Sequence, residues 1–171
     1  MIYIYNDYGG THTTSMAAAF HLNLITPTTE PFTKEQILSI PFFNQLTKKD
    51  AGRILFHGKD NEGHPVYTIG RKSSKLVVPA LKDLSLLFLN LYHGEERIIF
   101  SNTSPTVPFV MTIGGGLSRG LGIDSLGVPL LIKGAQKASS TIHHLVENTK
   151  QMAHSHGEEQ VLVLDNDQFK I

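Results

Sequence analysis

The chain reads as an α/β protein: a single-domain, three-layer αβα sandwich around a mainly parallel sheet. Three observations predict this. Met1 to Tyr5 is apolar on both faces, as a central strand covered on both sides must be; strand, turn and helix patterns recur; and the turns at those junctions are rich in glycine and hydroxyls. At 171 residues and 40% hydrophobic content the chain can bury one sizeable core.

The elements follow in order. After the first strand, Met16 to Leu24 is an alanine-rich helix, and a Pro and Thr linker spans Thr26 to Phe32. Thr33 to Leu46 reads as a second helix, with Thr33 as cap and Gln36 in the capping-box position, kinked or broken at Pro41. Arg53 to Gly58 and Pro65 to Gly70 are short β-type runs around the turn composition of Lys59 to His64, which predicts a β-hairpin insertion at a sheet edge or protruding as an arm. Leu76, Ala80, Leu84, Leu87 and Leu91 have helical spacing, so this third helix should lay that stripe on the sheet and end near His93-Gly94. Arg97 to Phe100 is the next core strand. Phe109 to Ile113 can be strand or helix, and Gly114 to Gly122 is glycine-rich enough to form a lid. Val128 to Lys133 then reads as a third strand, turning at Gly134 into a helix whose apolar face is Ala138, Ile142, Leu145 and Thr149. These assignments give an α/β domain over residues 1–150 and a polar C-terminal extension over 151–171, in which Val161 to Leu164 would add an edge strand or stay loosely attached.

Composition removes several functions. Fifteen Lys plus Arg balance fifteen Asp plus Glu, so no global field draws nucleic acid or an anionic membrane. The absence of cysteine excludes disulfides, thiolate metal sites and cysteine nucleophiles. With no leader-like segment and no long apolar run, the expected location is the cytoplasm. Nine histidines raise the question of a metal, but none stands in a His-Glu-x-x-His pattern; His143-His144 point apart on a helix, His21 and His57 read as satisfied buried histidines, and His154-Ser155-His156 lies in a polar tail.

The strongest functional signal is Asn6-Asp7-Tyr8-Gly9-Gly10-Thr11-His12-Thr13-Thr14, which joins strand to helix. Glycines allow an anion close to the backbone, and the first helical N–H groups and the helix dipole favour negative charge. The run aligns with the Gly-x-x-x-x-Gly-Lys-Ser/Thr phosphate loop, with Asn6 and Thr11 for the glycines, His12 for the lysine and Thr13 for the magnesium-binding hydroxyl. In a parallel sheet the loops leaving the carboxyl ends gather at one crevice. Three junctions would then bring together Gly9, Gly10, Thr11, His12, Thr13 and Thr14, then Asn102, Thr103 and Ser104, then Lys133, Gln136 and Lys137, with Arg119 reaching in from the glycine segment. The expected ligand is a small anionic or phosphorylated molecule. Asp7 and His12 are the catalytic candidates for phosphoryl transfer or hydrolysis, and Asp7 with Thr13 would hold Mg²⁺ if a nucleotide binds. A plainer explanation of Thr11 to Thr14 is helix capping. The alternative function is a non-catalytic regulator or scaffold with a degenerate phosphate loop, contacting a protein partner through residues 52–70.

Tyr8-Gly9-Gly10-Thr11-His12-Thr13-Thr14 resembles the signature of DUF3189, a Firmicutes family of unknown function. Gly58 to Gly70, Gly115 to Arg119 and Pro129 through Lys137 are also similar to it, so the likeness spans about residues 1–150. In that family the residue before Tyr-Gly-Gly is often cysteine, where this chain has Asp7. The resemblance implies a small cytoplasmic bacterial protein and brings no activity with it.

Overall fold

A computed structural model describes residues 1–155, 157 and 159–171, with only the backbone of Lys48. Five strands form one mixed, mostly parallel sheet in the order β2-β3-β1-β4-β5: β1 (Ile2–Asp7), β2 (Ile54–Lys59), β3 (Pro65–Gly70), β4 (Ile98–Asn102) and β5 (Val161–Leu164). β1 is central and pairs in parallel with β3 (Tyr3 opposite Val66) and β4 (Tyr3 opposite Ile99); β5 pairs in parallel with β4, and β2 is the single antiparallel strand.

On one face lie α1 (Thr13–His21) and α5 (Asp124–Ser155). Every residue of α1 is buried, which explains its alanine run. A short helix between a sheet and a 32-residue neighbour has no solvent side to fill with charge, and small side chains let both approach. Ala138, Ile142, Leu145 and Thr149 form the buried stripe of α5, as their spacing predicts. α2 (Lys34–Leu38) is shorter than expected, although Thr33 and Gln36 do form the capping box; beyond it the chain turns through Pro41. The other face carries α3 (Val77–Tyr92), whose Val77, Val78, Leu81 and Leu89 pack over Ile4, Ile69, Phe100 and Val161. α3 stops at His93 in the left-handed conformation, where the Gly94 N–H returns to the Leu89 carbonyl at 2.9 Å.

Four expectations are corrected. Val128 to Lys133 is not a strand; it lies inside α5. A short apolar run has no period that separates strand from helix, and here only Leu131 and Ile132 are buried. The surrounding glycines serve helix packing: a Cβ on Gly134 would sit 2.7 Å from Met111 Cβ, and one on Gly114 would sit 2.8 Å from the Leu131 nitrogen. The glycine segment is therefore no open lid but α4 (Phe109–Gly115) and a π-helical turn (Gly116–Gly120) packed on α5. The hairpin does form at a sheet edge, but as part of the sheet rather than an insertion, since β3 pairs with the central strand and β2 is the edge strand on that side. Finally, the Leu76, Ala80, Leu84, Leu87, Leu91 stripe of α3 faces away from the sheet. The segment 151–171 supplies the end of α5 and the edge strand β5, with His156 outside the described residues.

Candidate functional site

β1 delivers Asp7 to the carboxyl edge of the sheet, where the chain turns through Gly10 at φ +72°. Glycine is required there twice over, because a Cβ would also strike the Gly70 backbone at 2.6 Å. The turn folds back onto its own aspartate: the Gly10 N–H donates to Asp7 Oδ1 at 2.5 Å and the Thr13 hydroxyl donates to Oδ2 at 2.8 Å. Thr13 also meets the Thr103 hydroxyl at 3.0 Å, tying the loop after β1 to the loop after β4. Thr11 is equally engaged, donating its hydroxyl to the Phe42 carbonyl at 2.6 Å.

His12 takes the N-cap position without a side-chain cap bond. Its Nε2 meets Asn44 Oδ1 at 3.2 Å and its ring stands edge-on to Phe43. Burial pushes the imidazole below its ordinary pKa, which keeps the ring neutral at pH 7. Asn44 continues to Ser118 at 3.0 Å, and Ser118 bonds Asp124. Helix capping by the threonines is thus not what is found. Among the described residues nothing accepts the backbone N–H of Thr11, His12, Thr13, Thr14 or Ser15, and the buried hydroxyls of Thr14 and Ser15 have no partner.

The predicted residues divide into three groups. Asp7, Gly9, Gly10, Thr11, His12, Thr13 and Thr14 share the carboxyl edge with Asn102, Thr103 and Ser104, because β1 and β4 are parallel neighbours. Arg119 lies on the π-helical turn and is spent on Asp124, at 3.2 Å. Lys133 and Lys137 are exposed on α5, and Gln136 donates to the Phe32 carbonyl at 2.8 Å, so the strand junction that would have brought these three to the crevice does not exist. The residues proposed for Mg²⁺ satisfy each other, and no group of three or more His, Asp or Glu suited to a metal occurs among the described residues.

Sequence reasoning missed the main cation of this edge. Arg71 follows β3, and reading β3 as part of a hairpin at a sheet edge or protruding as an arm left it out of the crevice. In the sheet, β3 ends beside β1, and the Arg71 N–H bonds the Asp7 carbonyl at 2.9 Å. The guanidinium is oriented by neutral groups alone: Nε donates to Asn6 Oδ1 at 3.1 Å, and Nη2 to Asn102 Oδ1 at 3.3 Å and Ser104 Oγ at 3.2 Å. Among the described residues it has no carboxylate partner. It stands in a cleft of about 460 Å³ between the strand tips and the start of α3, with Lys75 and Lys82 also on the wall, apolar surface from Val78, Pro79, Val163 and Leu164, and carboxylates at Asp83 and Asp165. Lys82 is paired with Glu159 at 3.2 Å, whereas Lys75 is exposed.

Fold and site together define a mostly parallel α/β protein with a cleft of mixed charge, lined by Arg71, at the carboxyl edge of its sheet. The chain belongs to the family described as "Protein of unknown function (DUF3189)", whose profile matches residues 2–151. No curated protein and no solved structure matches it. No helix among the described residues is long and apolar enough to cross a membrane.

Proposed function

We propose that the protein binds a small phosphorylated organic molecule in the Arg71 cleft, with the phosphate on Arg71. The observation that carries this reading is a half-buried guanidinium, held in place by Asn6, Asn102 and Ser104, that lines a cleft and makes no ion pair among the described residues. Removing a charge from water is costly unless an opposite charge receives it, and the planar donor fork of arginine matches phosphate geometry. The volume lies within the usual range of about 300–1,000 Å³ for small-molecule sites. Val78, Pro79, Val163 and Leu164 would cover the carbon skeleton, and Asp83 and Asp165 would accept from its hydroxyls.

A second seat for the anion is the start of α1, favoured by its run of unpartnered N–H groups. One experiment separates the two. Thermal shift with inorganic phosphate, pyrophosphate, sugar phosphates and nucleoside monophosphates should raise the melting temperature of the wild-type chain, since a ligand bound only by the native state stabilises it. Under the Arg71 reading the shift disappears in Arg71→Ala and survives in His12→Ala. A shift that survives Arg71→Ala moves the anion to the β1–α1 loop, and no shift with any compound refutes phosphate binding.

A further inference from the structure

α3 is apolar on two sides. Val77, Val78, Leu81 and Leu89 face the sheet, while Leu76, Leu84, Leu87, Phe88, Leu91 and Tyr92 point outward at 44 to 76% exposure. A helix with apolar residues on two sides normally has both sides covered. The sheet surface beside it is also uncovered. Ile54 and Phe56 of β2 stand opposite Ile69 and Tyr67 of β3, so they share the face on which α3 lies, and they are 47% and 52% exposed. One face of the sheet is covered by two helices and the other by one, which leaves space for a second.

We infer that this space is filled by α3 of a second copy, packed antiparallel across a two-fold axis. Leu84 lies near the middle of the outer stripe, so a two-fold centred there sets Leu84 against itself, with Ala80 and Phe88, one turn before and after it, flanking the axis. Charge agrees with the same register: Lys72 and Lys75 precede the helix and Glu95 and Glu96 follow it, so antiparallel packing sets the basic end of each copy beside the acidic end of the other, whereas parallel packing sets like beside like. Area agrees as well. The stripe with Ile54 and Phe56 presents eight large apolar side chains at about half exposure, three of them aromatics of roughly 150–250 Å² each, which together approach the ~800 Å² that one partner of a standard interface buries. The interface is isologous and closed, and so ends at the dimer.

The absence of cysteine makes the test clean. Sedimentation of the wild-type chain at tens of micromolar should give a dimer, and Leu84→Glu, which sets two carboxylates together at the axis, should give a folded monomer by circular dichroism. Leu84→Cys should form a disulfide-linked dimer on mild oxidation. Leu76→Cys should not, because antiparallel packing holds its two copies about 24 Å apart, sixteen residues of helical rise. If Leu84→Glu does not fold, the cysteine pair still decides the matter. A wild-type monomer, cross-linking at Leu76→Cys but not at Leu84→Cys, or a monomer that adheres through this stripe to neutral lipid vesicles would each overturn the inference.

Discussion

Two polar clusters sit at opposite ends of the central strands, and they differ in one respect. At the amino end the side chains of Tyr5, His21 and Asp60 are all partnered, while His64 Nδ1 beside them makes no hydrogen bond: the Tyr5 hydroxyl meets His21 Nδ1 at 2.7 Å, His21 Nε2 meets Asp60 Oδ2 at 3.2 Å, and Asp60 Oδ1 accepts the N–H groups of Glu62 and His64. Tyr5 donates to one ring nitrogen and the other ring nitrogen donates to the carboxylate, so a neutral His21 satisfies both neighbours. Burial first, and then Lys150, holds its pKa down at about 4. At the carboxyl end Arg71 is oriented with equal care by Asn6, Asn102 and Ser104, yet it has no counter-ion among the described residues and opens on a cavity. A closed network explains itself as structure. An oriented charge that lines a cleft and makes no ion pair among the described residues is instead the observation from which the proposed anion site is argued.

The contrast can be broken from either side. The largest expected effect is His21→Ala, which orphans the Tyr5 hydroxyl, leaves Asp60 with one partner fewer and opens a cavity. It should cost on the order of 3 kcal/mol in urea unfolding and leave phosphate affinity unchanged. Arg71→Ala should do the opposite: the loss of charge-assisted hydrogen bonds to phosphate is worth about 1.5–3 kcal/mol, a fall in affinity of roughly 10- to 100-fold, while the melting temperature without ligand stays within a few degrees of wild type.

Acid sharpens the same distinction. His21 and His57 are both held near pKa 4 by burial, whereas in the unfolded chain they titrate at about 6.5. Between those values the unfolded state carries more protons, so their contribution is complete above about pH 6.5 and is lost as pH falls toward 4, with a limiting slope of about 1.4 kcal/mol per pH unit for each histidine. Urea midpoints across this range should show that decline, and His57→Gln should remove part of it. Smallest of all should be Lys75→Ala, an exposed and screened charge at the cleft rim, with a loss of only a few-fold in phosphate affinity that vanishes at high salt.

The sequence displayed its fold wherever a pattern had one physical meaning. The doubly apolar β1, the Thr33 and Gln36 capping box and the buried stripe of α5 were all legible, because core strands, caps and long amphipathic helices each leave a distinct signature. It misled where one pattern had two. Val128 to Ile132 is apolar because α4 covers it, not because it is a strand, and the regular stripe of α3 is the outward face while the less regular Val77, Val78, Leu81 and Leu89 meet the sheet. The site was half legible for the same reason. Asp7 to Thr14 and Asn102 to Ser104 were placed by the strands that carry them, but Arg71 depended on knowing that β3 runs parallel to β1, a long-range pairing that no local signal encodes.

Anion binding at Arg71 is tested by titration calorimetry of inorganic phosphate and a sugar phosphate into wild-type, Arg71→Ala and Arg71→Lys protein. The account predicts saturable binding by the wild type, loss in Arg71→Ala, and weak recovery in Arg71→Lys, which restores the charge but not the donor fork held by Asn6, Asn102 and Ser104. Equal binding by wild type and Arg71→Ala, or no binding by the wild type, would contradict it.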